Sequence, residues 1–214
     1  MPNPDPRPWQ RMLSGKRLNL EEPLWTDVEI EDIAHGLSRV ARWNGQTIGD
    51  WAFSVAQHSL VVERLCVASA PAADARLRLL ALLHDAPEYV IGDLISPFKA
   101  LMGEGYKATE NRILDAVLTR FGLAGAATRS AMKAIKRADQ ASAYLEAVEL
   151  AGFEAEIAAR YFKPQPWALH AFETGAVSLE PMRPEEAKSA FLTRFHELAA
   201  AATAAQPRRR ANGA

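Results

Sequence analysis

The fold class is decided by one stretch near the middle of the chain, LRLLALLHD, which spans residues 77–85. From Leu77 to Leu83 nearly every residue is leucine or alanine, so a helix here is apolar on nearly every side. Such a helix is usually the buried centre of a bundle. The sequence therefore predicts an all-α bundle whose central helix ends at the polar pair His84-Asp85.

Helical periodicity and capping signals predict six further helices around this centre. Five of them cover about residues 30–41, 55–69, 106–121, 128–150 and 185–200, and one begins at the Ser96-Pro97 pair. The first is expected to start at a capping box formed by Thr26 and Glu29. Pro71 fits the first turn of the central helix. The prediction is one domain of about seven helices.

The ends of the chain and one internal segment lack helical patterning. Residues 1–15 are expected to be a loose lead-in, 16–200 the domain and 201–214 a flexible tail. A short strand is predicted over Lys16–Leu20. Residues 163–184 contain four prolines and are predicted to be an irregular crossing segment.

Composition excludes several classes of protein. The chain has 214 residues, of which 49% are hydrophobic and 24% charged, as in ordinary globular proteins and unlike disordered or collagen-like chains. The net charge is −1, and without the three arginines at 208–210 the remainder carries 22 basic and 26 acidic residues. This acidic body gives little electrostatic reason to bind a nucleic-acid polymer.

The single cysteine and the lack of long apolar runs bear on the compartment. Cys66 lies in an apolar helical stretch and has no partner within the chain, which favours a small buried residue in a reducing compartment. No apolar run approaches the roughly 20 residues of a membrane span. The proline-rich start lacks the apolar stretch of a signal peptide. We therefore expect a cytoplasmic protein with no membrane partner.

Four side chains from three predicted helices form a candidate metal site. Burying His84 and Asp85 side by side is costly unless they are paired or bind a metal, although the pair alone is better explained by a helix end emerging into solvent. His58 in the preceding helix and Asp139 in a later one favour the metal site, because helical bundles build metal sites from inward side chains. Two imidazoles and two carboxylates suit one divalent ion such as Mn, Co, Fe, Ni or Zn.

Two more carboxylates follow this pair. Glu88 comes one helical turn after Asp85, and Asp93 follows Gly92. Pro87 ends or kinks the helix here, so both acids lie where a helix end feeds a loop. Carboxylates outside the ligand set can accept protons from water and position it.

Together these motifs resemble the HD-domain metal-dependent phosphohydrolases, and most closely the bacterial 5′-deoxynucleotidase branch. The similar segments are SVAQHS at 54–59, LHDAPE at 83–88, GDLISPFK at 92–99, KRAD at 136–139 and AYLE at 143–146. The resemblance covers about residues 36–150 and implies an HD-domain helical bundle. No histidine occurs between His84 and His170, so a single metal ion is favoured over the two-metal sites of other relatives.

The resemblance also implies a role for each site residue. The ligands of one divalent metal ion (Mn, Co, Zn, Fe, Ni or Mg) would be His58, His84, Asp85 and Asp139. Glu88 would transfer a proton and Asp93 would orient or activate water. The substrate contacts would be Arg42, Trp43 and Lys99. For Trp43 a loop anchor, and for Lys99 a solvated helix residue, are equally good interpretations.

The expected function is hydrolysis of (deoxy)nucleoside 5′-monophosphates to nucleoside and phosphate. A deoxynucleoside triphosphate triphosphohydrolase would use the same metal core, but it would need more basic groups than this sequence offers near the motifs. A non-catalytic nucleotide-binding module and a purely structural metal bundle are the alternatives from other classes. The apolar faces of the terminal helices are compatible with a homodimer.

Overall fold

The computed structural model describes residues 8–205, and within that range it confirms an all-α fold. Nine helices are present there rather than about seven. Their bounds are α1 (Ile30–Leu37), α2 (Val55–Ser69), α3 (Ala75–Leu82), α4 (Glu88–Ile91), α5 (Ser96–Arg120), α6 (Arg129–Glu149), α7 (Ala155–Tyr161), α8 (Pro166–Glu173) and α9 (Pro184–Ala204).

The predicted central helix lies inside the bundle. Helix α3 packs against α2 and α9, and α2 also packs against α6. Residues 79–83 are all buried, as the run of leucines predicts. Helix α2 matches its predicted bounds, and the Ser54 side chain caps it by accepting a hydrogen bond from the Gln57 N–H. Cys66 is buried, as expected.

The N-terminal segment differs from the prediction. Residues Trp9–Arg11 form a strand, β1, that pairs antiparallel with β2, Arg17–Asn19, so part of the expected lead-in 1–15 belongs to the fold. The predicted strand at Lys16–Leu20 is present but shorter. Residues 1–7 lie outside the described residues.

Two predicted helix starts were wrong. A 3₁₀ turn covers Trp25–Asp27, and α1 begins after Glu29 without a side-chain cap, so no capping box forms at Thr26. Helix α3 begins after Asp74, whose carboxylate accepts a hydrogen bond from the Leu77 N–H. This charged cap determines the start of α3, and Pro71 lies outside the helix.

The two helices expected at residue 96 and over 106–121 form one element, α5. Its backbone is broken at Gly103, where φ is 71° and ψ is −163°. The N-cap of α5 is Ile95, one residue earlier than the predicted cap Ser96, which is already helical.

The C-terminal third is more helical than expected. The irregular segment predicted at 163–184 contains α8, because Pro166 occupies its first turn, where a missing N–H costs nothing. Helix α9 continues to Ala204, beyond the predicted domain end at 200. Residues 206–214, including the arginines at 208–210, lie outside the described residues. Within 8–205, no helix combines the length and apolar character needed to cross a membrane.

Candidate metal centre

Three segments of the bundle bring together a group that can hold a metal ion. His58 comes from α2, Asp139 from α6, and His84 lies just after the end of α3. One ligand atom from each residue lies within 4.8 Å of the other two. The sequence predicted all three as ligands, and the packing of α2 against α3 and α6 accounts for their meeting.

The His58 imidazole is fully buried, and its two nitrogens have different surroundings. Nδ1 lies 2.5 Å from Oε1 of Glu146. Nε2 makes no hydrogen bond, and it lies 3.4 Å from Asp85 Oδ2 and 3.4 Å from Asp139 Oδ1. A hydrogen bond from Nδ1–H to a carboxylate leaves the Nε2 lone pair available for a metal ion.

The two ring nitrogens of His84 have the same arrangement of partners as those of His58. Its Nδ1 lies 2.8 Å from the carbonyl oxygen of Ala81, an acceptor only, so Nδ1 is the protonated nitrogen. Its Nε2 is buried without a hydrogen bond. The rings of His58 and His84 have their centroids 5.3 Å apart. Two buried imidazoles therefore each keep one unshared nitrogen, as metal-ligating histidines do.

Asp85, the fourth predicted ligand, touches both imidazoles. Its Oδ2 lies 3.4 Å from Nε2 of His58 and 3.2 Å from Nε2 of His84. It contacts the group of three rather than forming part of it. Burial raises the pKa of Asp85, but the adjacent imidazoles outweigh burial and hold that pKa well below its usual range.

The electrostatics of the group favour a positive charge at its centre. Burial and Arg42 lower the pKa of His58, yet the surrounding carboxylates outweigh them and raise it well above its usual value. For Asp139, burial raises the pKa and contact with His58 lowers it, with a net decrease. A proton or a divalent cation satisfies the same requirement. The nitrogen and oxygen donors fit a borderline divalent ion.

The two predicted catalytic acids are also brought into this region. Glu88 at the start of α4 is buried, and its Oε2 makes no hydrogen bond. Burial, with the nearby charges of Asp85 and Asp93, raises the pKa of Glu88 to about 9. Glu88 is thus protonated at neutral pH. Asp93 instead forms an ion pair with Arg42, at 2.9 Å.

The predicted substrate contacts are engaged within the protein. The Lys99 ammonium lies 3.2 Å from Glu88 Oε1 and 3.2 Å from Glu110 Oε1, so it is not a solvated helix residue. Arg42 pairs with Asp93 and Glu146. The Trp43 ring packs against Phe153 and Phe162, as a loop anchor would.

Sequence reasoning missed the role of Glu146. Glu146 belongs to the AYLE segment at 143–146, and the resemblance assigns it no role. Its buried carboxylate accepts hydrogen bonds from Trp43 Nε1 at 2.9 Å and Ser142 Oγ at 2.7 Å, besides its contacts with His58 and Arg42. One signal was available, because Glu146 comes seven residues after Asp139 and so lies on the same helix face two turns on.

Comparison with known proteins places the chain among relatives of undetermined function. No family model matches it. A protein of Rhodobacter capsulatus, named only as uncharacterized, is 52% identical over 193 residues, which are 90% of this chain and 96% of that protein. The chain belongs to the same family as that protein. The uncharacterized protein YfdR of Escherichia coli K12 is 30% identical over 113 residues, 53% of this chain and 58% of YfdR.

In this member of the family, two surface cavities lie apart from the metal centre. One, of about 790 Å³, is lined by residues that include Arg64 and Arg194, and the other, of about 380 Å³, by residues that include Asp32 and Tyr89. Neither cavity includes a predicted site residue. The donor atoms and charges of the candidate metal centre, rather than a cavity, therefore mark the functional site.

Proposed function

We propose that the protein is a divalent-metal-dependent phosphohydrolase of the HD type that converts (deoxy)nucleoside 5′-monophosphates to nucleoside and phosphate. One observation carries the proposal. His58 and His84 each have a buried Nε2 without a hydrogen bond, while their Nδ1 atoms contact Glu146 and a backbone carbonyl. Together with two adjacent aspartates, this is the donor arrangement expected for a catalytic metal in a helical bundle.

The ligands in this proposal are His58, His84 and Asp139, with Asp85 as the fourth. A bound divalent ion would act as a Lewis acid that activates water and polarises the phosphoryl group. The ion pair between Lys136 and Asp139 Oδ2, at 2.8 Å, leaves Oδ1 facing His58. Lys136 therefore orients the Asp139 carboxylate.

Glu88 supplies the proton in the proposed reaction. Hydrolysis breaks the bond between phosphorus and the 5′ oxygen, and the leaving oxygen takes up a proton. A carboxyl group that is still protonated at neutral pH is suited to donate it. The pKa of Glu88 is raised by burial to about 9 in the metal-free protein, which leaves room for the decrease that a nearby cation would cause. Lys99 holds the Glu88 side chain at 3.2 Å.

Asp93 and Arg42 are assigned to the water and the phosphate. Asp93 Oδ2 accepts a hydrogen bond from Arg42 at 2.9 Å, and the same carboxyl group can also accept one from the attacking water. The guanidinium fork of Arg42 is suited to phosphate oxygens.

The scarcity of free positive charge favours a monophosphate substrate. Arg42 and Lys99 are the predicted phosphate contacts, and each already contacts two acidic side chains of the protein. A triphosphate would bring more negative charge than these two groups can neutralise. The triphosphohydrolase alternative therefore has less support.

The test is a product assay on metal-free protein. Mn, Co, Zn or Mg is added back separately, with deoxy- and ribonucleoside mono- and triphosphates as substrates, and the products are separated by ion exchange. We expect free phosphate from monophosphates. Release of triphosphate would show that the substrate is a nucleoside triphosphate. No turnover with any combination of metal ion and nucleotide would refute the proposed enzymatic activity.

Two variants assign the activity to the site. Asp139→Asn should lower turnover at least 100-fold because it removes a metal ligand, and Glu88→Gln should lower it by roughly 10²–10⁴-fold while metal binding is retained. Asp115→Asn, an exposed acid on α5, is the matched control and should be unchanged. Full activity in Glu88→Gln would refute its role in proton transfer.

A further inference from the structure

Glu146 lies between the metal ligands and the Arg42–Trp43 segment, and it contacts both. Its Oε1 lies 2.5 Å from His58 Nδ1 and 2.7 Å from Ser142 Oγ. Its Oε2 accepts hydrogen bonds from Trp43 Nε1 at 2.9 Å and from Arg42 Nε at 3.2 Å. One carboxylate thus receives two donors on each oxygen.

The carboxylate depends on these partners for its charge. Glu146 is fully buried. Its four hydrogen-bonding partners come from α2, from α6 and from the segment that holds Arg42 and Trp43. An ionised carboxylate in this environment is stable only while its donors remain in place. A change in the hydrogen bonds to one oxygen therefore alters the hydrogen bonds to the other.

The segment held by Oε2 is strained. Trp43 and Asn44 have φ angles of 56° and 51°, in the left-handed region that costs most residues energy. Such a conformation persists only where the surroundings hold it. Here the holding contacts are the indole hydrogen bond to Glu146 and the packing of the Trp43 ring on Phe153 and Phe162.

We propose that Glu146 is a positioning residue that couples the two halves of the site, so that a divalent cation and a nucleotide bind cooperatively. The inference rests on the proposed function. A cation on His58 Nε2 fixes the orientation of the imidazole ring, and its Nδ1–H, 2.5 Å from Oε1, then fixes Oε1. With Oε1 fixed, Oε2 is held against Trp43 and Arg42 before the nucleotide arrives. Binding of the nucleotide then costs less conformational entropy.

The test measures binding rather than turnover. Calorimetry gives the Kd of Co²⁺ with and without the phosphonate analogue of deoxyadenosine 5′-monophosphate, in which carbon replaces the ester oxygen and prevents hydrolysis. The ratio of the two Kd values is the coupling factor. We expect a factor of about 5–100 in the wild type. In Glu146→Gln it should fall at least fivefold, and Co²⁺ alone should bind about 10–100-fold more weakly.

The design separates positioning from general loss of structure. The direct attraction between Co²⁺ and the phosphonate is present in every variant. A lower coupling factor in Glu146→Gln therefore measures the contribution of Glu146. Glu149→Gln, an exposed acid on the same helix, is the matched control and should keep the wild-type factor. Adding Trp43→Phe to Glu146→Gln should change the factor no further, whereas a merely structural effect would add to it.

Each outcome decides the question. A wild-type factor in folded Glu146→Gln overturns the coupling and leaves the proposed function standing. A wild-type protein that binds neither Co²⁺ nor the analogue overturns both. If circular dichroism shows that Glu146→Gln does not fold, Trp43→Phe and Ser142→Ala each remove one donor. A lower factor in these variants supports the coupling, and an unchanged factor in both overturns it.

Discussion

At the scale of single residues, burial alters the chemistry of Glu88 so that a carboxylic acid can remain protonated at neutral pH. The side chain is 2% exposed, and its neighbours Asp85 and Asp93 add negative charge. Lys99 opposes this effect but does not cancel it. The same acid on the protein surface would be ionised at neutral pH and unable to donate a proton.

Glu88 makes the stability of the metal-free protein depend on pH. Its pKa is about 9 in the folded protein against an ordinary 4.5, so the folded state binds the extra proton and loses stability as pH rises through that window. We expect Glu88 to lower the free energy of unfolding by up to about 1.4 kcal/mol for each pH unit of increase. Glu88→Gln should flatten the slope between pH 6 and 9. Urea unfolding in EDTA measures it, and an unchanged slope would contradict the assignment.

At the scale of helices, a buried carboxylate ties together three elements. Glu63 on α2 is fully buried, and it contacts Arg78 of α3 at 2.6 Å and Arg194 of α9 at 2.9 Å. Burial raises the pKa of Glu63 even though Arg194 opposes it, so the ion pairs offset the cost of burial only in part. The network holds the helix of His58 against the one that leads to His84.

Removal of this carboxylate should destabilise the bundle. Glu63→Ala removes the carboxylate that pairs with Arg78 and leaves Arg194 only its exposed partner Glu197, and we expect a loss of about 2–4 kcal/mol in the free energy of unfolding. Glu197→Ala is the matched control, because Glu197 pairs with the same Arg194 but its side chain is 57% exposed. It should cost less than about 1 kcal/mol. Equal losses in urea unfolding would show that burial of Glu63 is not the cause.

The break in α5 gives a second prediction for the helices. Gly103, with φ 71° and ψ −163°, occupies a region that is essentially restricted to glycine. Gly103→Ala should therefore cost about 1–2 kcal/mol of unfolding free energy. Gly105→Ala, two residues on in the same element, has no positive φ and should stabilise by up to about 1 kcal/mol. Changes of opposite sign in the Tm of the two variants would support the break at Gly103, and changes of the same sign would contradict it.

At the scale of the whole molecule, metal binding should stabilise a protein that already folds without it. The apolar core extends through α2, α3 and α9 and does not depend on the metal ligands. A cation that binds only the folded state at 100 times its Kd adds about 2.7 kcal/mol, or roughly 5–10 °C in Tm for a chain of this size.

Thermal unfolding with Mn²⁺ or Co²⁺ measures this increase, and EDTA should reverse it without unfolding the protein at 25 °C. Asp139→Asn should abolish most of the shift. Unfolding on addition of EDTA would instead favour a purely structural metal bundle.

The bundle and its principal helices could be predicted because their signals are local. The leucine run and the periodicity of α6 each lie within one segment. Helices α7 and α8 escaped prediction because both are short, and α8 also lies in the segment 163–184 with its four prolines. Their ends depend on packing against α6 and α2, which no local pattern records.

The donors of the metal centre were also readable in the sequence, because a histidine or acid on an apolar helix stands out against its neighbours. Their partners were not. Glu146 meets His58 from 88 positions away and Arg42 from 104, and Arg42 meets Asp93 from 51. Sequence thus determined the all-α fold and the candidate ligands, which depend on residue type and short spacing. Only the tertiary structure decided which carboxylates share which donors, because those pairings arise where separate helices pack.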